Sequence, residues 1–260
     1  MIDKTRILAR CASSEDKILI SHCLDKLCAA EQKPAFTHFL NPRQQTLVEE
    51  LLRNAGAQPV FDGGYDGAER AAVFFLPEFI ACKDIRSQEW FPITALRCDV
   101  RGKGVPGHRD YLGAVVNMGI RREMIGDILP DGSGCVIAAA EEVAAFIAEN
   151  LTRIGGFAVD THIVALYELI PVEEEKKILR DTVAAPRLDA MVGAAFGMSR
   201  EKAVRLIEGG LVQLSHRLCV KPSVHVSAGD VISARGQGRA EVAEIGLSTK
   251  KGRLPVVFRR

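Results

Sequence analysis

Much is missing from this sequence, and each absence removes a class of function. No apolar run approaches the roughly 20 residues that a membrane span needs. The opening Met-Ile-Asp-Lys-Thr-Arg, followed by mixed charge, does not read as a secretory signal, so the chain is expected in the cytosol with no membrane partner. Cys11, Cys23, Cys28, Cys82, Cys98, Cys135 and Cys219 are odd in number, irregularly spaced and never arranged Cys-x-x-Cys. That excludes a disulfide framework or a zinc knuckle as the expectation and leaves buried reduced thiols. His162, His216 and His225 lack metal-ligand spacing. No glycine-rich strand–turn–helix suits a nucleotide-like cofactor. Neither a metal nor a cofactor is expected.

What is present is a hidden charge imbalance. The 260 residues carry 34 Lys and Arg against 33 Asp and Glu, a net of +1. From Val183 to Arg260 there are 13 basic and 6 acidic residues, a net of +7, and the remainder is left with 21 basic and 27 acidic, a net of −6. A separation of this size points to an anionic partner at the C-terminal end, most commonly nucleic acid, because neutralising phosphates releases condensed counterions. A solvated basic face is the plainer reading of a charge run, but here the cations sit on patterned elements.

The length allows two or three domains, and the pattern suggests three small α+β parts. The first, 1–77, is an α/β unit. A helix is predicted over Glu15 to Ala30 and a second from Asn41-Pro42, with Asn at the N-cap and Pro at the first helical position. Strands follow over 57–61 and 71–76 around a Gly63-Gly64-Tyr65-Asp66-Gly67 turn, whose backbone could contact a ligand. The second part, 78–180 with its linker, carries a strand over 91–100 and a flexible basic loop, Arg101-Gly102-Lys103-Gly104-Val105-Pro106-Gly107. A short helix ending at Gly119 comes next, then a hairpin around Asp131-Gly132-Ser133-Gly134, a helix over 141–151 and a strand over 157–169. The acidic run Glu173-Glu174-Glu175 lies in the linker. The third part, 181–260, reads as two short basic helices on a small antiparallel sheet.

That last part carries the chemistry. Ser199 is placed to cap the second helix, whose Ala203, Val204, Leu206 and Ile207 face inward and leave Arg200, Lys202 and Arg205 outside. Helix N-termini also offer N–H groups to phosphate. Glu201 stands four residues before Arg205 and could simply stabilise the helix. Arg187 opens the first helix, and Asp189 either pairs with an arginine or caps that helix. Gly209-Gly210 turns the chain into a strand, Lys221 precedes Pro222 in a loop, and Arg235, Gln237 and Arg239 project from a hairpin. Lys250, Lys251 and Arg253 extend the basic surface. Such contacts position a protein on folded RNA without reading its sequence. A second set, His108, Arg109, Arg121 and Arg122, lies in the middle part. His108-Arg109-Asp110 lacks the Asp-Phe-Gly and Val-Ala-x-Lys companions of a kinase catalytic loop, so it reads as a helix start or an RNA contact.

Arg187-Leu188-Asp189, Ser199-Arg200-x-x-Ala203-x-x-Leu206-Ile207-x-x-Gly210-x-Val212 and Gly229-Asp230-x-Ile232 resemble the RNA-binding fold first seen in ribosomal protein S-four. The match departs at Ser215-His216-Arg217, where many members place Asn-Gly. His108-Arg109-Asp110-Tyr111-Leu112-Gly113, Gly119-Ile120-Arg121-Arg122-Glu123 and Ile125-Gly126-Asp127-Ile128 resemble the central domain of the bacterial YlmH family. Asn41-Pro42-Arg43-Gln44 and the stretch from Gly63 to Arg70 are similar to its N-terminal domain. The resemblance implies a non-enzymatic protein that binds the large ribosomal subunit through ribosomal or transfer RNA, in rescue of stalled subunits; a monomer is expected. Two alternatives come from other classes. One is an RNA-modifying enzyme of the pseudouridine synthase type, whose catalytic Asp Arg187-Leu188-Asp189 mimics, though Pro186 stands where Gly would be. The other is an interaction adaptor linked to cell division, using the acidic N-terminal two-thirds.

Overall fold

The computed structural model describes residues 3–77, 80, 84–171, 177–248 and 252–260. The chain divides into two units, Met1–Val172 and Glu173–Arg260. The boundary expected after 77 therefore lies within the first unit, and the one expected after 180 falls inside a strand of the second.

The first unit begins with α1 (Lys4–Leu8), α2 (Ser14–Ala29), β1 (Ala35–Phe36), α3 (Pro42–Arg53), β2 (Val60–Asp62) and β3 (Ala72–Phe75). Local chemistry sets the helix starts. Ser13 accepts from the Asp16 amide at the head of α2. At α3, Asn41 Oδ1 accepts from the Gln44 amide at 3.0 Å while Gln44 Oε1 accepts from the Asn41 amide at 2.9 Å, and Pro42 fills a position whose N–H would have no partner. The strands pair antiparallel in the order β1-β3-β2.

The unit continues through β4 (Ile93–Arg101), α4 (His108–Asn117), β5 (Ile125–Pro130), β6 (Gly134–Ala140), α5 (Glu141–Asn150), β7 (Arg153–Ile154) and β8 (Phe157–Val164). These strands form an antiparallel sheet, β5-β6-β4-β8-β7. One face packs on α4 and α5 through Leu96, Cys98, Tyr111, Val115, Ile137 and Ile147. The other face, through Ala95, Val136 and Ala138, shares a core with Phe39 and with Ala72 and Phe74 of β3. Phe74 stacks on Phe91 at 5.4 Å, interplanar angle 8°. β8 stops at Val164, short of the predicted Leu169. Its partner β4 begins just after Pro92, so pairing runs out at Ala95↔Val164 and a 3-10 turn, Leu166–Glu168, follows.

One carboxylate fastens the Gly63–Arg70 loop to the second sheet. Asp127 on β5 accepts from the Tyr65 hydroxyl at 2.8 Å and from the Glu69 and Arg70 amides at 2.6 and 3.1 Å. The Arg70 guanidinium donates to the Ile125 and Phe39 carbonyls at 3.0 and 3.1 Å, and burial followed by repulsion from Arg122 lowers its pKa to about 10. The Gly63–Arg70 loop is thus a structural clasp. Gly126 beside it admits the Phe39 ring, which a Cβ would meet at 2.6 Å.

The second unit holds β9 (Ile178–Val183), α6 (Leu188–Phe196), α7 (Arg200–Glu208), β10 (Val212–Leu214), β11 (Arg217–Leu218), β12 (Val231–Ala234), β13 (Gly238–Ile245) and β14 (Leu254–Arg259). Its antiparallel sheet runs β11-β10-β12-β13-β14-β9. Leu188, Met191, Val192 and Ala195 of α6 and Ala203 and Ile207 of α7 bury against Val212, Ile232, Ala240, Val242, Val256 and Phe258. Gly197, at φ 62°, ends α6 in the left-handed region. Ser215 and His216 turn β10 into β11 with φ of 46° and 66°, a conformation that Asn-Gly adopts with less strain. The turn is held by the Ser215 hydroxyl donating to Asp230 Oδ1 at 2.7 Å.

Removing the clasp acceptor leaves three donors unmatched beside a half-buried arginine. Asp127→Ala is expected to destabilise the first unit by about 2–3 kcal/mol, with the loss confined to its slow-exchanging amides. Hydrogen exchange with urea denaturation measures both, and unchanged protection across 60–75 would show that the clasp is dispensable.

Candidate nucleic-acid interface

The Asp189 carboxylate is buried, its side chain only 3% exposed, at the start of α6. Its Oδ1 accepts from Arg187 Nε at 3.3 Å and from the Ala190 amide at 2.8 Å. Its Oδ2 accepts from an Arg187 terminal nitrogen at 3.1 Å and from Arg200 at 3.0 and 2.8 Å. Burial alone would raise this carboxyl's pKa, but the hydrogen bonds from Arg187 and Arg200 outweigh it and hold the pKa below the ordinary value. Asp189 therefore stays ionised and orients two arginines whose side chains remain 42% and 63% exposed.

Chain contacts bring further cations to the same place. The Leu188 amide donates to the Val224 carbonyl at 2.8 Å and the Asp189 amide to Pro222 at 3.0 Å, which lays the exposed Lys221 beside the head of α6. Ser199 accepts from the Lys202 amide at 3.3 Å, as a cap should, and Lys202 stands in solvent. Arg205 is exposed one turn further along α7 and pairs with Glu201, the plainer of its two roles. Arg187, Ser199, Arg200, Lys202 and Lys221 thus form one patch.

The hairpin residues are dispersed. Arg235 is exposed at the end of β12, with its amide on the Leu211 carbonyl at 2.9 Å. The Gln237 carbonyl accepts from Arg260 at 2.7 Å, and Arg260 lies 5.1 Å from the centre of the Phe196 ring. Arg239 pairs with Ser233 in the ladder, while Ala234 and Ala240 on either side face the core. Arg239 is therefore on the helix-free face of the sheet, away from the α6–α7 patch. Arg253 donates to the Thr182 hydroxyl at 2.8 Å, and Lys250 and Lys251 lie outside the described residues, as do Cys82 and Glu173-Glu174-Glu175.

The middle set divides as well. His108 and Arg109 are exposed in the first turn of α4, where Asp110 accepts from the Gly107 amide at 2.8 Å. Arg121 pairs with Glu123 at 2.8 Å. Arg122 turns inward and donates to the Ile125 and Gly126 carbonyls, and burial lowers its pKa. Its local sequence, Arg-Arg-Glu, gives no sign that one arginine faces solvent and its neighbour the protein.

With this geometry in place, similarity to known proteins is informative. Residues 105–168 match a family model described as "Putative RNA-binding domain in YlmH". The chain is 30% identical over 249 residues to the Bacillus subtilis protein named Ribosome-associated protein quality control protein P2, covering 95% of each chain. The chain belongs to the YlmH family. A solved structure of the Cell division protein ylmH from Streptococcus pneumoniae shares the fold, at TM-score 0.51 and 22% identity over 62% of this chain and 98% of that one. The YlmH model begins in the loop before α4 and ends in the turn after β8, so it takes in His108, Arg109, Arg121 and Arg122. No helix among the described residues is long and apolar enough to cross a membrane.

Because its folded pKa is depressed, Asp189 contributes stability above the ordinary carboxylate value of about 3.9. The contribution is lost as pH falls through the lower folded value. Removing a buried partner of an ion pair costs about 3–5 kcal/mol when the remaining charge is stranded. Here both arginines reach water, so Asp189→Asn is expected to cost less, about 1–3 kcal/mol near neutral pH. Urea denaturation carried into the acid limb should show the two proteins converging, and a gap that persists there would mean the ion pairs are not its source.

Proposed function

We propose that this protein is a non-catalytic RNA-binding protein of the cytoplasm that acts as a monomer. In this reading it associates with the large ribosomal subunit through ribosomal or transfer RNA and serves ribosome-associated quality control, including rescue of stalled subunits. The observation that carries the reading is the α6–α7 patch, where a buried Asp189 holds Arg187 and Arg200 beside Ser199, Lys202 and Lys221. The name of the Bacillus subtilis relative and the description of the family model support it. So does the resemblance of this two-helix module to the S-four-type fold.

The arrangement suits phosphate. Arginine guanidiniums present fixed forks to phosphate oxygens, and the N-terminus of α7 adds backbone donors of the same polarity. The contacts position the protein on the shape of an RNA and carry little sequence information. The pseudouridine synthase alternative asks Asp189 to be a catalytic residue. Both of its oxygens are already engaged and its side chain is almost wholly buried, which favours a structural role.

Charge reversal is a poor test at Arg200, because a Glu there would face Asp189. Neutral replacement avoids that repulsion and leaves Arg187 on Asp189: Arg200→Gln with Lys202→Gln and Arg205→Gln should lower affinity for purified large ribosomal subunits at least tenfold, with folding checked by urea denaturation. It should also reduce the slope of log K against log salt by about 2, at roughly 0.7–0.9 per lost phosphate contact. Co-sedimentation across a salt series reads both. Wild-type affinity in the triple variant would remove α7 from the interface, and absence of salt-sensitive binding by the wild-type protein would remove the RNA reading itself.

A further inference from the structure

The first unit encloses a cavity of about 190 Å³ where its two sheets meet. A bulge opens it. Thr37 pairs with Val73 and Leu40 with Ala71, so His38 and Phe39 stand opposite the single Ala72. The Thr37 hydroxyl holds the bulge. It accepts from the Val73 amide at 3.1 Å, where a ladder carbonyl would stand, and donates to the His38 carbonyl at 2.8 Å. A bulge re-aims the side chains beside it. Phe39 packs on Gly126 between the sheets, while His38 turns toward the surface and meets Glu142 at 2.9 Å. On the opposite wall β6 runs into α5 without a loop, and the Glu141 amide donates to the Pro92 carbonyl at 2.9 Å.

The walls are apolar and the mouth is not. Phe36, Phe39, Ala72, Pro92, Ile93 and Ala140 line the interior, and the short side chains at 72 and 140 leave its space unfilled. An apolar cavity of about 150 Å³ accommodates benzene, so this one has room for a single ring with a short chain. At the mouth stand His38, Glu141 and Glu142. Only one Glu142 oxygen meets His38, and Glu141 is exposed with no ion pair among the described residues. Carboxylates in the first turn of a helix stabilise it, which accounts for both acids on α5 but not for the cavity beside them. Two carboxylates against at most one imidazolium make the mouth anionic. A phosphate would be repelled there and an ammonium attracted.

We propose that this cavity is a binding site for a small aromatic amine, its ring against Phe36, Phe39 and Ile93 and its ammonium head at Glu141 and Glu142. The site lies outside the RNA contacts, and nothing in the argument rests on RNA binding. It divides its work as enclosed small-molecule sites do: apolar walls bury the body of the ligand, and a few polar groups at one end fix its orientation. The hydrogen bonds at that end join an ammonium to carboxylates and are therefore charge-assisted. The three donors of an ammonium can engage Glu141 and the free oxygen of Glu142 while His38 keeps the other.

The test titrates the full chain, labelled with nitrogen-15, with phenethylamine, and with phenylacetate and phenethyl alcohol as its anionic and neutral counterparts. The amine should shift the amides of Phe36 to Phe39, Ala72 and Ala140 to Glu142, with a Kd of about 1 mM or tighter. Phenylacetate should bind at least tenfold more weakly, with the alcohol between the two. Glu141→Gln with Glu142→Gln changes only exposed side chains at the mouth. It should weaken the amine about tenfold and leave the alcohol unchanged. No amide shifts at 10 times that concentration (about 10 mM), or shifts confined to residues away from the cavity, would overturn the site. Equal affinity for amine and phenylacetate, or wild-type affinity for the amine in the double variant, would overturn the ligand class.

Discussion

The interaction on which the candidate interface depends is the buried Asp189 carboxylate under two arginines. An arginine free on a helix surface keeps about 2 kcal/mol of rotamer entropy that binding must remove. Asp189 removes much of it during folding, because Arg187 and Arg200 share its oxygens before any ligand arrives. The cost is one negative charge inside a positive patch. With Lys202 and Lys221 nearby the patch remains cationic, so the loss of net attraction is offset by preorganisation. The same residue joins three segments: its carboxylate links the heads of α6 and α7, and its amide donates to the Pro222 carbonyl of the 221–226 strap.

The first unit uses a similar pairing to the opposite end. Around Asp127 the cation is turned inward: Arg70 gives its donors to backbone carbonyls and loses basicity through burial. One carboxylate displays its arginines and the other accompanies a buried one. What separates them is solvent access, since Arg187 and Arg200 keep faces in water. A count of basic residues therefore overstates the binding surface, and the count that matters excludes Arg70, Arg97, Arg101 and Arg122.

The division between what could be read in the sequence and what could not follows from the range of the interactions. The Asn41-Pro42 start of α3, the Ser199 cap of α7 and the Gly209-Gly210 stop are settled within one helical turn, and the sequence displays each of them. The α+β character and the two-helix module follow from periodicity in the same way. The clasp between Asp127 and a loop some sixty residues earlier carries no local mark. Nor does the pairing of β9 with β14, which carries the second unit's sheet across the boundary expected at 180. Within the candidate patch, the positions of Arg187, Ser199, Arg200 and Lys202 were legible because they flank helix starts. The face on which Arg239 lies could not be read, because alternation along β13 is a property of the pleat.

The partition of charge sets one more constraint. Residues 1–182 carry a net −6, which at first argues against any RNA contact in the first unit. Screening weakens that objection: at physiological ionic strength the Debye length is about 8 Å, so a phosphate responds to the charges of its immediate surroundings. Along the ladder, Asp160 is matched by Arg101, and Arg153 lies in the row of Arg101. Near Arg97 the acids are in excess. Local balance, rather than the net charge of a unit, therefore decides where phosphate is tolerated. The acidic remainder then restricts the orientations in which RNA can approach, which favours shape-dependent engagement over indiscriminate binding along the whole chain.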